Sequence, residues 1–120
     1  MPSKMILIAG PYRSGTNGDL LLIAKNLERL EAAALAVYRL GHMPMIGEWA
    51  ALPLAAQAGA NHVGDEISKQ FLYPVAARML SHCSGVLRIP GSSGGADGDV
   101  RLAGELCIPV YYDISEIAAA

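Results

Sequence analysis

Asp97 and Asp99 end a glycine-rich run, Pro90-Gly91-Ser92-Ser93-Gly94-Gly95-Ala96-Asp97-Gly98-Asp99, that directly follows the apolar segment Val86-Leu87-Arg88-Ile89. The pattern reads as a strand, a loop and the start of a helix. Asp97 suits a helix N-cap, where a carboxylate accepts backbone N–H groups. Asp99 falls two residues further on, inside the expected first turn, where the helix N-terminus would hold it ionised. An ionised carboxylate there can act as a nucleophile or stabilise an oxocarbenium-like sugar. The glycines from Gly91 to Gly95 would let backbone approach a ligand closely.

An earlier loop, Gly10-Pro11-Tyr12-Arg13-Ser14-Gly15-Thr16, follows the apolar run Met5-Ile6-Leu7-Ile8-Ala9. It offers backbone N–H groups, the Ser14 and Thr16 hydroxyls and the Arg13 guanidinium. Those groups suit one phosphate or a sugar hydroxyl. Tyr12 can stack on a base or bond to a sugar. The alternative is an ordinary strand-to-helix turn with its polar residues in water. The loop lacks the lysine of a nucleoside triphosphate P-loop, and the dinucleotide fingerprint G-x-G-x-x-G is absent. Glu48 can line a crevice with the two loops or start a helix in solvent. Trp49 can cover a base or simply pack. His42, His62 and His82 have no metal-ligand spacing, so neither a metal nor a cofactor is expected.

The elements that must position these residues alternate along the chain. Lys4 to Ala9 predicts a buried parallel strand. Leu20, Ile23, Leu27, Leu30, Ala34 and Val37 recur at helical spacing and predict a helix over 20–40, capped by Asp19 and stopped by Gly41. His42 to Ile46 predicts a short strand, placed at an edge by Pro44. Glu48 to Ala58 predicts a short helix or helical turn interrupted at Pro53. Asp65 to Ser81 predicts a helix that Pro74 kinks or splits. Gly85 to Ile89 and Ile108 to Tyr112 predict two more strands, with a helix over 96–106 between them. Ser115 starts a final turn, and Ala118-Ala119-Ala120 is expected to fray. Of Tyr111 and Tyr112, one should face inward and the other outward.

Strands alternating with helices imply right-handed crossovers and a parallel sheet. The expectation is an α/β, flavodoxin- or Rossmann-like three-layer sandwich with a four- or five-stranded parallel sheet. The first and third strands should be neighbours, with both loops at one end. The 120 residues fit a single domain over 1–120. A net charge of -2 supplies no basic face, so nucleic acid is not expected as a partner. No apolar run reaches the roughly 20 residues that span a bilayer. The apolar start is too short for a secretion signal. Cys83 and Cys107 form no disulfide framework and read as reduced thiols in or near the core of a cytoplasmic protein. The alanine-rich stretch 50–60 is more apolar than one small sheet needs. A homo-oligomer built on it, or on the helix over 65–81, is expected.

Five segments, taken in order, resemble the nucleoside 2-deoxyribosyltransferase-like superfamily. They are Ile6-Leu7-Ile8-Ala9-Gly10-Pro11-Tyr12, Leu40-Gly41-His42-Met43-Pro44, Leu80-Ser81-His82-Cys83-Ser84-Gly85-Val86-Leu87, Pro90-Gly91-Ser92-Ser93-Gly94-Gly95-Ala96 and Cys107-Ile108-Pro109-Val110. The look is closest to a small uncharacterised branch, related to the deoxynucleoside monophosphate N-glycosidases. The resemblance implies a nucleoside or nucleotide pocket and attack by a carboxylate on the anomeric carbon of a deoxyribose, with release of the base. In that family a glutamate opens the helix nine residues before the apolar residue of a Gly-apolar-Pro-Val strand start. Counting back from Ile108 gives Asp99, shorter by one methylene. A family aspartate is replaced here by Ala76, and the family's Cys-Asp or Ala-Asp before the third strand reads Cys83-Ser84.

Residues and resemblance together make Asp99 and Tyr12 the catalytic candidates. The substrate-binding candidates are Gly10, Pro11, Arg13, Ser14, Gly15 and Thr16 from the first loop, Gly91, Ser92, Ser93, Gly95, Ala96 and Asp97 from the second, and Glu48. Three functions compete: an N-glycosidase or deoxyribosyltransferase, a binding module that kept the pocket and lost the chemistry, and a structural subunit whose loops only build turns.

Overall fold

Alternating side chains along two buried strands sort the protein into three layers. In the computed structural model, which describes residues 2–62 and 65–120, these strands are β1 (Met5–Ala9) and β3 (Gly85–Arg88). Ile6, Ile8 and Leu87 point to one face. They pack there with Leu30, Ala34 and Val37 of α1 (Leu20–Arg39) and with Ile46 and Ile117. Leu7, Ala9 and Val86 point to the other face. There they meet Leu80 of α3 (Glu66–Leu80), Cys83, and Ala96 and Ala103 of α4 (Gly94–Glu105). Successive strand residues face opposite ways, so an apolar run fills both cores at once.

The sheet is completed by β2 (Met43–Met45) and β4 (Val110–Tyr111), in the order β2-β1-β3-β4 with every neighbouring pair parallel. Of the four or five parallel strands expected, the sheet has four, with the first and third strands adjacent. Ile6 aligns with both Pro44 and Gly85. Pro44 lies in an edge strand, where a missing N–H does not break a ladder. The chain leaves β1 in one direction to reach β2, then crosses back to β3. The ends of β1 and β3 thus form the switch point at which such sheets bind ligands.

Helix α1 starts and stops where its caps predict. The Asp19 carboxylate accepts from the Leu21 and Leu22 N–H groups, and Gly41 takes the left-handed conformation just past the end. The apolar stripe of α1 is buried at Ile23, Leu30, Ala34 and Val37, but Leu20 stays 72% exposed. Tyr111 packs towards the core and Tyr112 is exposed.

Several expectations need correction. Neither proline interrupts or splits its helix: α2 (Gly47–Gln57) runs through Pro53, and α3 runs through Pro74. Each proline removes one backbone donor, and the two helices pack chiefly on each other. Helix α4 begins at Gly94, earlier than expected, because Ser93 rather than Asp97 is its N-cap. The Ser93 hydroxyl accepts the Ala96 N–H at 3.1 Å. Cys83 is buried as expected, but Cys107 is exposed, in a left-handed turn just past α4. The chain end does not fray. His42 is buried, accepts the Lys4 N–H at Nδ1 and holds the Ala118 carbonyl at 2.7 Å from Nε2, while the Ala120 N–H donates to the Leu40 carbonyl.

Candidate functional site

The two loops meet at the carboxyl ends of β1 and β3. Gly91 has a left-handed φ of 124°, and a Cβ there would fall 2.6 Å from Pro11 Cγ. Only a glycine allows the loops to touch so closely. Helix α1 holds both from behind: Asn26 Nδ2 donates to the Tyr12 carbonyl at 2.8 Å, and Arg29 donates to the Pro90 carbonyl at 3.2 Å. Arg88, at the end of β3, shapes the second loop. Its guanidinium donates to the Ile89 and Gly91 carbonyls and pairs with the Asp97 carboxylate at 3.0 Å.

Between the loops lies a cavity of about 250 Å³. Gly10, Tyr12, Arg13 and Ser14 line it from the first loop, and Ser93, Gly95, Ala96 and Asp99 from the second loop and α4. Glu48 enters from the start of α2. The remaining site candidates lie off this lining. Pro11 packs beneath Gly91. Gly15 and Ser92 are exposed. Thr16 is buried; its hydroxyl donates to the Arg13 carbonyl at 2.6 Å and accepts from the Gly18 N–H. Asp97 faces Arg88 and is largely exposed. Trp49 turns to α1, where Nε1 donates to Glu31 at 2.8 Å.

Leu72, Tyr73 and Ala76 of α3 form a wall of the cavity; the resemblance marks Ala76 as the place of a family aspartate, but Leu72 and Tyr73 were not expected. Their spacing on a helix is that of any packed face. Arg88 was also missed, although a lone charge in an apolar strand carries a signal. A half-buried guanidinium must find acceptors, and Asp97 nearby in sequence is the natural one.

Asp99 is not held ionised. It is the sixth residue of α4 and 8% exposed. The field of a helix N-terminus falls off within the first turn. Burial and the neighbouring Glu48 charge push the Asp99 carboxyl up to about 7, against a partial pull downward from Arg88. Burial also raises Glu48 above the usual glutamate range. The Tyr12 phenol is raised by burial and by Glu48, with Arg13 acting the other way. Arg13 Nε is buried and meets no hydrogen-bond partner among the described residues. The cavity thus combines two carboxylates that resist ionising together, a phenol and a cation with spare donor capacity. Among the described residues no cluster of side chains could hold a metal ion, and no helix is long and apolar enough to cross a membrane.

The raised carboxyl has a consequence for stability. Asp99 binds its proton more tightly folded than unfolded, so ionising it opposes folding. Its contribution is fully present below about 3.8, the ordinary aspartate value, and is lost as pH rises through about 7. Thermal melts of Asp99→Asn across that window should therefore decline less with rising pH than those of the wild type. Parallel curves would show that Asp99 titrates normally.

No protein-family model matches the chain, and no curated protein matches it significantly. Among solved structures it is similar to the 2-deoxyribosyltransferase of the psychrotolerant bacterium Bacillus psychrosaccharolyticus. The TM-score is 0.55 at 16% sequence identity, over 88% of this chain and 69% of that one. At that identity the likeness is one of fold. This chain has a nucleoside 2-deoxyribosyltransferase-like fold.

Proposed function

We propose that the protein cleaves or transfers the N-glycosidic bond of a small nucleoside or nucleotide, with Asp99 as the nucleophile. The observation that carries this reading is a buried carboxylate sharing one cavity with Tyr12, Arg13 and Glu48 at the switch point of the sheet. The likeness of fold to a 2-deoxyribosyltransferase supports it. In this reading Asp99 forms a bond to the anomeric carbon as the base departs, and water or a second base then releases the sugar. Tyr12 orients the sugar or base, and Arg13 answers an anion. A second reading, a binding module without chemistry, draws support from Asp99 itself, which with a pKa of about 7 is only partly ionised near neutral pH.

The test is release of free base from a panel of deoxynucleosides and their monophosphates, followed by chromatography. Asp99→Asn keeps the volume and removes the nucleophile, so turnover should fall roughly a thousandfold or more while binding survives. Binding without any base release by the wild type would favour the binding module.

The unpartnered Arg13 Nε favours a ligand that carries a phosphate. A charge-assisted hydrogen bond contributes about 1.5–3 kcal/mol. Arg13→Ala should therefore weaken a nucleoside monophosphate roughly tenfold or more in calorimetry, and the free nucleoside much less. Equal weakening of both would show that Arg13 does not read phosphate.

The expected homo-oligomer belongs to the same proposal. Leu54 on α2 and Tyr73 on α3 leave large apolar surface exposed on the two helices, at 49% and 54%. Light scattering at micromolar concentration should give a mass above that of one chain, and a monomer mass would remove this part of the proposal.

A further inference from the structure

We propose that Glu48 is the acid of this site: it gives its proton to the base that leaves the sugar attacked by Asp99. The inference rests on the reading of Asp99 as nucleophile. Its ground is placement. Glu48 is the second residue of α2, which follows β2, and Asp99 lies in α4, which follows β3. These two strands flank β1, so the carboxylates enter one cavity from either side of the β1 end. Cleavage of a glycosidic bond needs such a pair, one group for the anomeric carbon and one for the leaving atom.

The start of α2 is set against α3 by two small residues. A Cβ on Gly47 would fall 3.3 Å from the Ala76 Cβ. This close approach brings the next side chain, Glu48, into the cavity. Ala76 lines the same wall and offers no proton. The other protic groups are poor donors. The Tyr12 phenol is raised above its ordinary value of 10.0. The Ser93 hydroxyl serves as the cap of α4, and Ser14 is a simple alcohol. A guanidinium such as Arg13 keeps its proton. The titratable and charged groups that share the cavity with Glu48 are Tyr12 and Arg13 from the first loop, Tyr73 from α3 and Asp99 from α4, and Arg88 at the end of β3 acts on Asp99.

Two carboxylates that repel in a poorly solvated space hold one proton between them more readily than none. Positive charge developing on the anomeric carbon favours the ionised form of Asp99 and leaves the proton on Glu48. The Asp99 oxygen then forms a bond to the anomeric carbon. The carbon–nitrogen bond breaks with its electron pair going to the base, and the base takes the Glu48 proton. In the second half a water oxygen attacks the anomeric carbon, Glu48 accepts the water proton, and Asp99 leaves as carboxylate. The net reaction is nucleoside plus water to base plus sugar.

A comparison of leaving groups tests the assignment. Natural deoxynucleosides need a proton on the departing base, whereas 4-nitrophenyl 2-deoxyriboside releases a stable phenolate without one. Because kcat/KM reports only through departure of the leaving group, the water step that Glu48 also serves does not enter it: Glu48→Gln should lower kcat/KM on a natural deoxynucleoside roughly 10²–10⁴-fold and change kcat/KM for the nitrophenyl substrate only a few-fold. Cleavage of the activated substrate also reports that the variant is folded. Asp99→Asn should lose both activities. Equal loss on both substrates in Glu48→Gln, or no loss on either, overturns the acid role and leaves the Asp99 reading standing. If the wild type cleaves neither substrate, or Asp99→Asn cleaves both, the Asp99 reading falls and the Glu48 role with it.

Discussion

β1 is apolar on both faces, and that constraint organises the rest of the molecule. Ile6, Leu7, Ile8 and Ala9 are each no more than 4% exposed. A strand buried on both sides must be central and must be covered by helices above and below. Its parallel neighbours on either side follow from the crossovers that supply those helices. Once β1 and β3 run side by side, the segments that leave them emerge together. The polar loops therefore face each other because the strands beneath them are apolar.

The cavity uses this arrangement in two different ways. Its rim is held by backbone geometry: Gly91 against Pro11, Asn26 on the Tyr12 carbonyl, Arg29 on the Pro90 carbonyl. Arg88 gathers the second loop through two carbonyls and Asp97. Its charge also bears on Asp99, which it pulls towards ionisation without overcoming burial and Glu48. Asp97 and Asp99 are thus separated in role by what surrounds them. One is exposed and paired with a cation. The other is buried beside a second carboxylate and titrates near neutrality.

The α2–α3 pair shows how a local rule yields to packing. Pro53 and Pro74 each remove a hydrogen bond from a helix interior, yet both helices continue. Mutual burial of the two helices offsets the lost bonds, and the small pair Gly47 and Ala76 lets them close at the cavity end. That closure turns Glu48 from a helix-start acid into a lining residue.

The local features of the chain were legible in its residues. The continuous burial of β1, the Asp19 cap, the Gly41 stop and the edge position of Pro44 each depend on neighbours a few positions away, and each appears as expected. The meeting of two loops at the ends of β1 and β3 was legible for a related reason: alternating strands and helices permit few topologies. What depended on distant segments was not. Whether Asp99 is ionised turns on burial and on Glu48, 51 positions away in sequence. Leu72 and Tyr73 line the cavity only because α3 lies across it. The cap of α4 fell to Ser93, whose hydroxyl reached the Ala96 N–H before Asp97 could serve. Residue spacing encodes hydrogen bonds within a turn, but the dielectric around a carboxyl and the partner it faces are properties of the assembled fold.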